Sequence, residues 1–367
     1  MSKRLKRALL VCIASVLLLS SLAITGCSSA STENTDTEEA VAADTITVQD
    51  SADRYVEVPY PVESIVVLWN NPTEELKALG AVDRIVGIDE ATKAKIDEGY
   101  YPELADTPVV GSCEEPNYEA IAELDPDVVI CLSSYPPLPE EIAGELEPFD
   151  IAVVGLDFYR TDVYFREVTT LGAMLGLEEE TADYIAFFKE SLDMIAERVG
   201  EIADADRKTV YFEGADDYGT YGGAGYGCGI PGMIVTGGGV DLYPEITAEW
   251  FEADPEDIAQ RNPDFIIKGQ SGGYFLADDT DFKAVHGAIM ARPELAASTA
   301  VTQNQVYTMS FDVSGGARKK FGPMFIAKIL YPELFEDLDP ESVLKQYYED
   351  YLGLEWQGVY TYPAINQ

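Results

Sequence analysis

Apolar residues recur along this chain with two different periods. Ile185, Phe188, Leu192, Ile195 and Val199 are spaced three or four apart, which lays a single apolar stripe on a helix. The spacing predicts a helix over residues 178–202, roughly 37 Å long at 1.5 Å per residue and so able to bridge two lobes. Short apolar runs bounded by Gly, Pro, Asn or Asp predict strands before it at 45–50, 55–59, 64–68, 84–88, 107–110, 128–130 and 151–155. After it they predict strands at 209–212, 265–267 and 305–309, then helices over 323–330 and 342–352. Asn71-Pro72-Thr73-Glu74 reads as the start of another helix, with a capping residue, an early Pro and an acid facing the dipole.

One joint between helix and strand occurs twice. Residues 119–130 (Glu119 through Pro126-Asp127 to Ile130) match residues 256–267 (Glu256 through Pro263-Asp264 to Ile267) at a constant offset of 137. Each copy reads as a short helix, a Pro-Asp turn and a wholly apolar strand, the pattern of a buried strand in a parallel sheet. The alternative is chance likeness of a common joint. The expected fold is therefore α/β, with two Rossmann-like lobes of mainly parallel sheet joined by one long helix. Boundaries follow at 45–160 for the first lobe, 161–205 for the helical connector and 206–367 for the second lobe.

Ahead of the lobes, Lys3, Arg4, Lys6 and Arg7 precede an apolar run ending in Ile24-Thr25-Gly26-Cys27. This resembles the lipobox of exported lipoproteins, with residues 1–26 as signal peptide and Cys27 as the lipidated residue; an ordinary signal peptide or a signal anchor are the alternatives. Two acyl chains on Cys27 would hold the protein at the outer face of the cytoplasmic membrane. Residues 27–44, rich in Ser, Thr and Glu, read as a flexible tether. No other run is apolar enough to span a membrane.

Charge narrows the partners. Twenty-four basic against sixty-six acidic residues give −42, and loss of the four cations before residue 27 would take this to −46. Such a surface does not bind nucleic acid by charge. A lone histidine, His286, rules out a histidine-rich metal site and histidine-based nucleophilic catalysis. Cys113, Cys131 and Cys228 have no CxxC spacing, so no zinc site is legible. Gly227-Cys-Gly229-Ile-Pro-Gly232 fits GxGxxG, but Pro231 interrupts it and no clear strand-to-helix turn frames it. No metal, cofactor or catalytic residue is expected.

Between residues 45 and 350 the chain resembles the substrate-binding lipoproteins of ABC importers for iron–siderophores, haem and corrinoids (vitamin B12). The resemblance is carried by Thr45-Ile-Thr-Val-Gln-Asp-Ser-Ala-Asp-Arg54, Thr73-Glu-Glu-Leu-Lys-Ala-Leu-Gly80, Asp83-Arg-Ile-Val-Gly87, both copies of the repeat, Gly238-Gly-Val240 and Ala327-Lys-Ile-Leu-Tyr-Pro-Glu333. It implies ligand held in a cleft between two lobes, binding without bond-making, and an ABC permease with its ATPase as partners of a monomer. It also implies one docking glutamate per lobe, Glu119 and Glu256, with Glu74 and Glu252 as fallbacks. The alternative for each is a helix acid facing its own dipole.

Ligands of open α/β sheets lie at the carboxyl ends of the strands. Those ends supply Trp69, Asn70, Cys113, Ser133 and Tyr135 from the first lobe, and Tyr218, Lys268, Phe311 and Arg318 from the second; the resemblance adds Trp250, which precedes Glu256 by six residues as Cys113 precedes Glu119. The aromatics suit a large flat ligand, and the scarce cations Lys268 and Arg318 a carboxylate or phosphate on it. Core packing and ordinary ion pairing are the alternatives. The expected cargo is a ferric siderophore or corrinoid, with haem, or a sensor or scavenger lacking a permease, as further readings. A lipoprotein enzyme on the same frame is the remaining alternative.

Overall fold

A computed structural model describes residues 45–223 and 229–365. Cys27, the tether and Cys228 lie outside the described residues. Strands β1 (Thr45–Gln49) and β2 (Tyr55–Pro59) form an antiparallel hairpin. Beside it, β3 (Ile65–Val67), β4 (Ile85–Gly87), β5 (Val128–Cys131) and β6 (Ala152–Gly155) make a parallel sheet in the order β4-β3-β5-β6. Every residue of β3 and β5 is buried, which is why these strands are apolar on both faces. The strand expected at 107–110 does not form; Val109 makes only an isolated parallel bridge to Ile88. Pro108 lacks the N–H that would carry a ladder through this edge segment.

The second sheet contains β7 (Thr209–Glu213), β9 (Val240–Asp241), β11 (Phe265–Gln270), β12 (Val306–Ser310) and β13 (Thr361–Tyr362), ordered β13-β12-β11-β7-β9. Only β13 runs antiparallel. A small ribbon pairs β8 (Gly219–Thr220) with β10 (Phe251–Glu252). The sequence pattern missed β8, β9, β10 and β13, each two residues long and too short to show a period. The two sheets bear out the expected two-lobed α/β class.

The connector consists of a helix at Tyr164–Leu175 and the long helix Glu178–Gly200. The latter buries Phe188, Ile195 and Val199 of the apolar stripe together with Tyr184, while Ile185 and Leu192 pack at the edge of the same core. It rests on Tyr164–Leu175 on the first-lobe side and on Gly322–Leu330 on the second.

The repeated joint has the same construction in both lobes. Helix Tyr118–Leu124 is capped by Asn117 and ends on left-handed Asp125; helix Pro255–Arg261 is capped by Asp254 and ends on left-handed Asn262. The aspartate after each Pro then ties down the start of the neighbouring strand. Asp127 Oδ2 accepts from the Glu63 and Ser64 amides at 2.7 and 2.9 Å, just before β3. Asp264 Oδ2 accepts from the Thr209 amide and hydroxyl at 2.9 and 3.0 Å, at the start of β7. The Pro-Asp pair thus sets the register between two parallel strands in each lobe.

Candidate ligand site between the lobes

The carboxyl ends of strands from both sheets meet around a cavity of about 240 Å³. Trp69 and Asn70 follow β3, and Phe311 follows β12; with Asn71, Tyr101, Gly316 and Arg318 they line it. Four of the ten expected ligand-facing residues, Trp69, Asn70, Phe311 and Arg318, are therefore brought together. A larger hollow of about 550 Å³ lies between β2 and the amino-terminal end of β6, away from these strand ends.

Beneath the cavity the lobes are joined by two ion pairs on consecutive carboxylates. Arg318 contacts Glu74 at 2.8 Å and Asp312 at 2.9 Å, and Lys320 contacts Glu75 at 2.6 Å. All five side chains are largely withdrawn from solvent. Tyrosine hydroxyls complete the shell: Tyr347 donates to Glu74 at 2.9 Å, Tyr184 to Glu75 at 2.8 Å, and Tyr100 to Asp312 at 3.0 Å. Burial opposes ionisation of Glu74, but Arg318 and Lys320 outweigh it and hold the carboxyl below its ordinary value. For Glu75 burial prevails, raising its pKa although Lys320 pulls the other way, and burial likewise lowers Lys320. Asn71 adds a neutral bridge, donating to the Asp157 carbonyl at 2.9 Å and accepting from the Ala317 amide at 3.2 Å.

The sequence pattern missed most of this cluster. Asn71 and Glu74 read as cap and dipole acid, yet the helix begins at Asn70, Trp69 occupies the cap without a side-chain bond, and both residues serve the lobe interface. Burial of Glu74 also removes it as a docking residue. Tyr347 and Tyr348 fall where helix Pro340–Gln346 widens into a π-turn, Tyr347–Tyr351, and both are buried. The visible signal was Glu74-Glu75 set against Arg318-Lys319-Lys320 in a chain poor in cations.

The remaining expected residues lie elsewhere. Lys268 does not line the cavity: its ammonium contacts Glu213 at 2.9 Å and donates to the Ala215 and Asp216 carbonyls at 3.0 Å each, ordering the loop after β7. Tyr218 lies under the Arg292 guanidinium at 4.4 Å and donates to Glu294. Ser133 donates from its amide and hydroxyl to Asp157 at 2.7 and 2.5 Å. Cys113 is partly buried, and burial with neighbouring Glu114 and Asp89 pushes its thiol up to about 11. Tyr135 and Trp250 are about half exposed, at 52% and 48%. Glu119 and Glu256 are exposed in the first turns of the two repeated helices. Among the described residues, no group of three or more His, Cys, Asp or Glu is placed to hold a metal ion, and no helix is long and apolar enough to cross a membrane.

This frame has relatives. Residues 65–313 match the periplasmic binding protein family, more than half of the chain. The chain belongs to that family. The molybdate-binding protein MolA of Haemophilus influenzae is 24% identical, over 83% of this chain and 90% of its own length. The ABC transporter substrate-binding lipoprotein YvrC of Bacillus subtilis, uncharacterized, is 23% identical, over 88% of this chain and 97% of its own. The crystal structure of the TroA-like periplasmic binding protein FepB from Veillonella parvula superimposes with a TM-score of 0.75 at 22% identity, covering 86% of this chain and 99% of that one. At such identity the structural likeness establishes the fold of this periplasmic binding protein, not its cargo.

Proposed function

We propose that this periplasmic binding protein is the substrate-binding component of an ABC importer, tethered by lipid on Cys27 outside the cytoplasmic membrane. It captures a chelated metal, a ferric siderophore or a corrinoid, in the cleft between its lobes. The observation that carries this reading is the cavity at the strand carboxyl ends, to which Trp69 and Asn70 come from one lobe and Phe311 and Arg318 from the other. A ligand there touches both lobes at once, as capture followed by delivery requires. The cavity volume, about 240 Å³, is below the roughly 300–1,000 Å³ of pockets that enclose drug-sized ligands. A chelate would therefore protrude from it. Glu119 and Glu256 would meet cationic permease loops, one from each lobe, fixing orientation more than affinity.

Titration of the unlipidated protein with cobinamide and with ferric siderophores, followed by tryptophan quenching, tests capture. Saturable quenching that weakens in Trp69→Ala supports the cleft as the site. Absence of saturation with every chelate would leave the importer reading without cargo of this class.

A further inference from the structure

The two cations that line the candidate cavity, Arg318 and Lys95, are each paired with carboxylates of the same chain. Arg318 is the one guanidinium among the residues lining it, and it faces two carboxylates. Its Nε donates to both oxygens of Glu74 at 3.0 Å, and one terminal nitrogen donates to Asp312 and to the Tyr348 hydroxyl, each at 2.9 Å. Its guanidinium carbon also lies over the Tyr100 ring at 4.5 Å and the Tyr348 ring at 5.2 Å. This triad sets two carboxyl groups against one guanidinium. Lys95, the other lining cation, pairs with Glu98 at 2.7 Å.

The strand-end loops beyond the cavity repeat the pattern. Lys268 and Arg292 converge on the single carboxylate of Glu213 at 2.9 and 2.6 Å, Arg292 also meets Asp217 at 2.9 Å, and Arg160 pairs with Asp162 at 3.0 Å. What remains to face a ligand is aromatic, amide and backbone surface, in a chain of net charge −42.

We propose that the cleft selects an uncharged or cationic metal chelate and rejects oxyanions and anionic chelates. The proposal deepens the cleft-binding reading and depends on it. An anion entering the cavity would meet only cations already engaged by carboxylates, Arg318 by Glu74 and Asp312 and Lys95 by Glu98. To reach Arg318 it would have to displace Glu74 or Asp312, leaving that carboxylate enclosed without its counterion. It would also enter against the field of the chain. A cationic or neutral chelate meets neither obstacle. On this charge balance the site departs from a molybdate receptor, although one relative carries that name.

The test is a matched titration by tryptophan fluorescence and calorimetry with ferrioxamine B (cationic), ferrichrome (neutral), diaquacobinamide (cationic), ferric enterobactin (anionic) and molybdate. The expected result is saturable binding within the first three and affinity at least about a hundredfold weaker for the two anions. Molybdate or ferric enterobactin binding as tightly as the best neutral or cationic probe overturns the proposal. Failure of all five to bind removes the cleft-binding reading beneath it, a distinct outcome. Asp312→Asn supplies the second arm, since it removes one of the two carboxylates held by Arg318 while leaving Glu74 in place. Anion affinity should then rise at least about tenfold relative to that for the neutral chelate; no relative rise means that pairing of Arg318 is not what excludes anions. If that variant does not fold, salt dependence of the natural protein decides. Affinity for a cationic chelate should fall with added salt, that for a neutral one should stay flat, and a cationic chelate indifferent to salt refutes the role given to charge.

Discussion

Lys320→Met removes the only cation in contact with Glu75 among the described residues. In the natural protein the ammonium touches Glu75 at 2.6 Å and the Tyr184 and Tyr347 hydroxyls at 2.8 and 3.2 Å, and it lies within 5.4 Å of four aromatic ring centres. Methionine fills similar volume without charge, so the change is mainly electrostatic. Leaving one member of a buried pair alone costs about 3–5 kcal/mol. Glu75 has an escape, because burial already raises its pKa and loss of Lys320 raises it further. A carboxyl whose folded pKa lies above its unfolded value of about 4.3 is stabilising below that value, and the contribution is lost as pH rises through the folded pKa. The deficit of the variant should therefore be largest near pH 8 and shrink as pH falls toward about 5. Urea unfolding followed by tryptophan fluorescence across this range reads it directly. Replacing both partners, Glu75→Leu with Lys320→Met, should recover most of the loss. A deficit under about 1 kcal/mol at pH 8, or one that does not change with pH, would refute the reasoning.

Other outcomes test different parts of the molecule. Glu119→Ala with Glu256→Ala should abolish transport in a reconstituted importer while ligand affinity stays unchanged and stability moves by less than about 0.5 kcal/mol; a parallel fall in affinity would count against docking. Asp127→Ala and Asp264→Ala each strip two donors of their acceptor at a strand start, so each should lower urea stability by about 1–3 kcal/mol, and a neutral result would mean that register is set elsewhere. Buried Glu167, pushed up to about 7 mainly by burial, accepts from Ser51 at 2.5 Å and from the Phe158 amide at 2.7 Å. Its raised pKa makes it stabilising at low pH, with the contribution lost as pH rises through about 7. Glu167→Gln should flatten the fall in stability between about pH 5 and 8, and an unaltered slope would show that another group titrates there.

The chain's own pattern was enough for its architecture. Period-two and wholly apolar runs located the sheet strands β3, β4, β5, β6, β7, β11 and β12, and the three-and-four spacing from Ile185 to Val199 located the bridging helix to within two residues of its end at Gly200. These are local signals, because burial on both faces of a strand or one face of a helix is written in adjacent positions. Even the duplicated Pro-Asp joint was legible, although the bond from each aspartate to the neighbouring strand was not. The site depended on long-range placement. Glu74 and Arg318 are 244 positions apart, and Lys320 and Glu75 are 245 apart. No periodicity connects such residues; only the packing of one lobe against the other does. That packing withdrew Glu74 from the surface, turned Asn71 from a cap into a bridge, and drew Tyr347 and Tyr348 inward through a π-turn. Lys268 shows the converse. A scarce cation at a strand end looks like a ligand contact in one dimension, whereas in three it neutralises Glu213, an acid whose burial the sequence did not disclose. Residue type and spacing told which groups the cleft could use, but the partner each group met, and hence the charge left for a ligand, was decided by the tertiary fold.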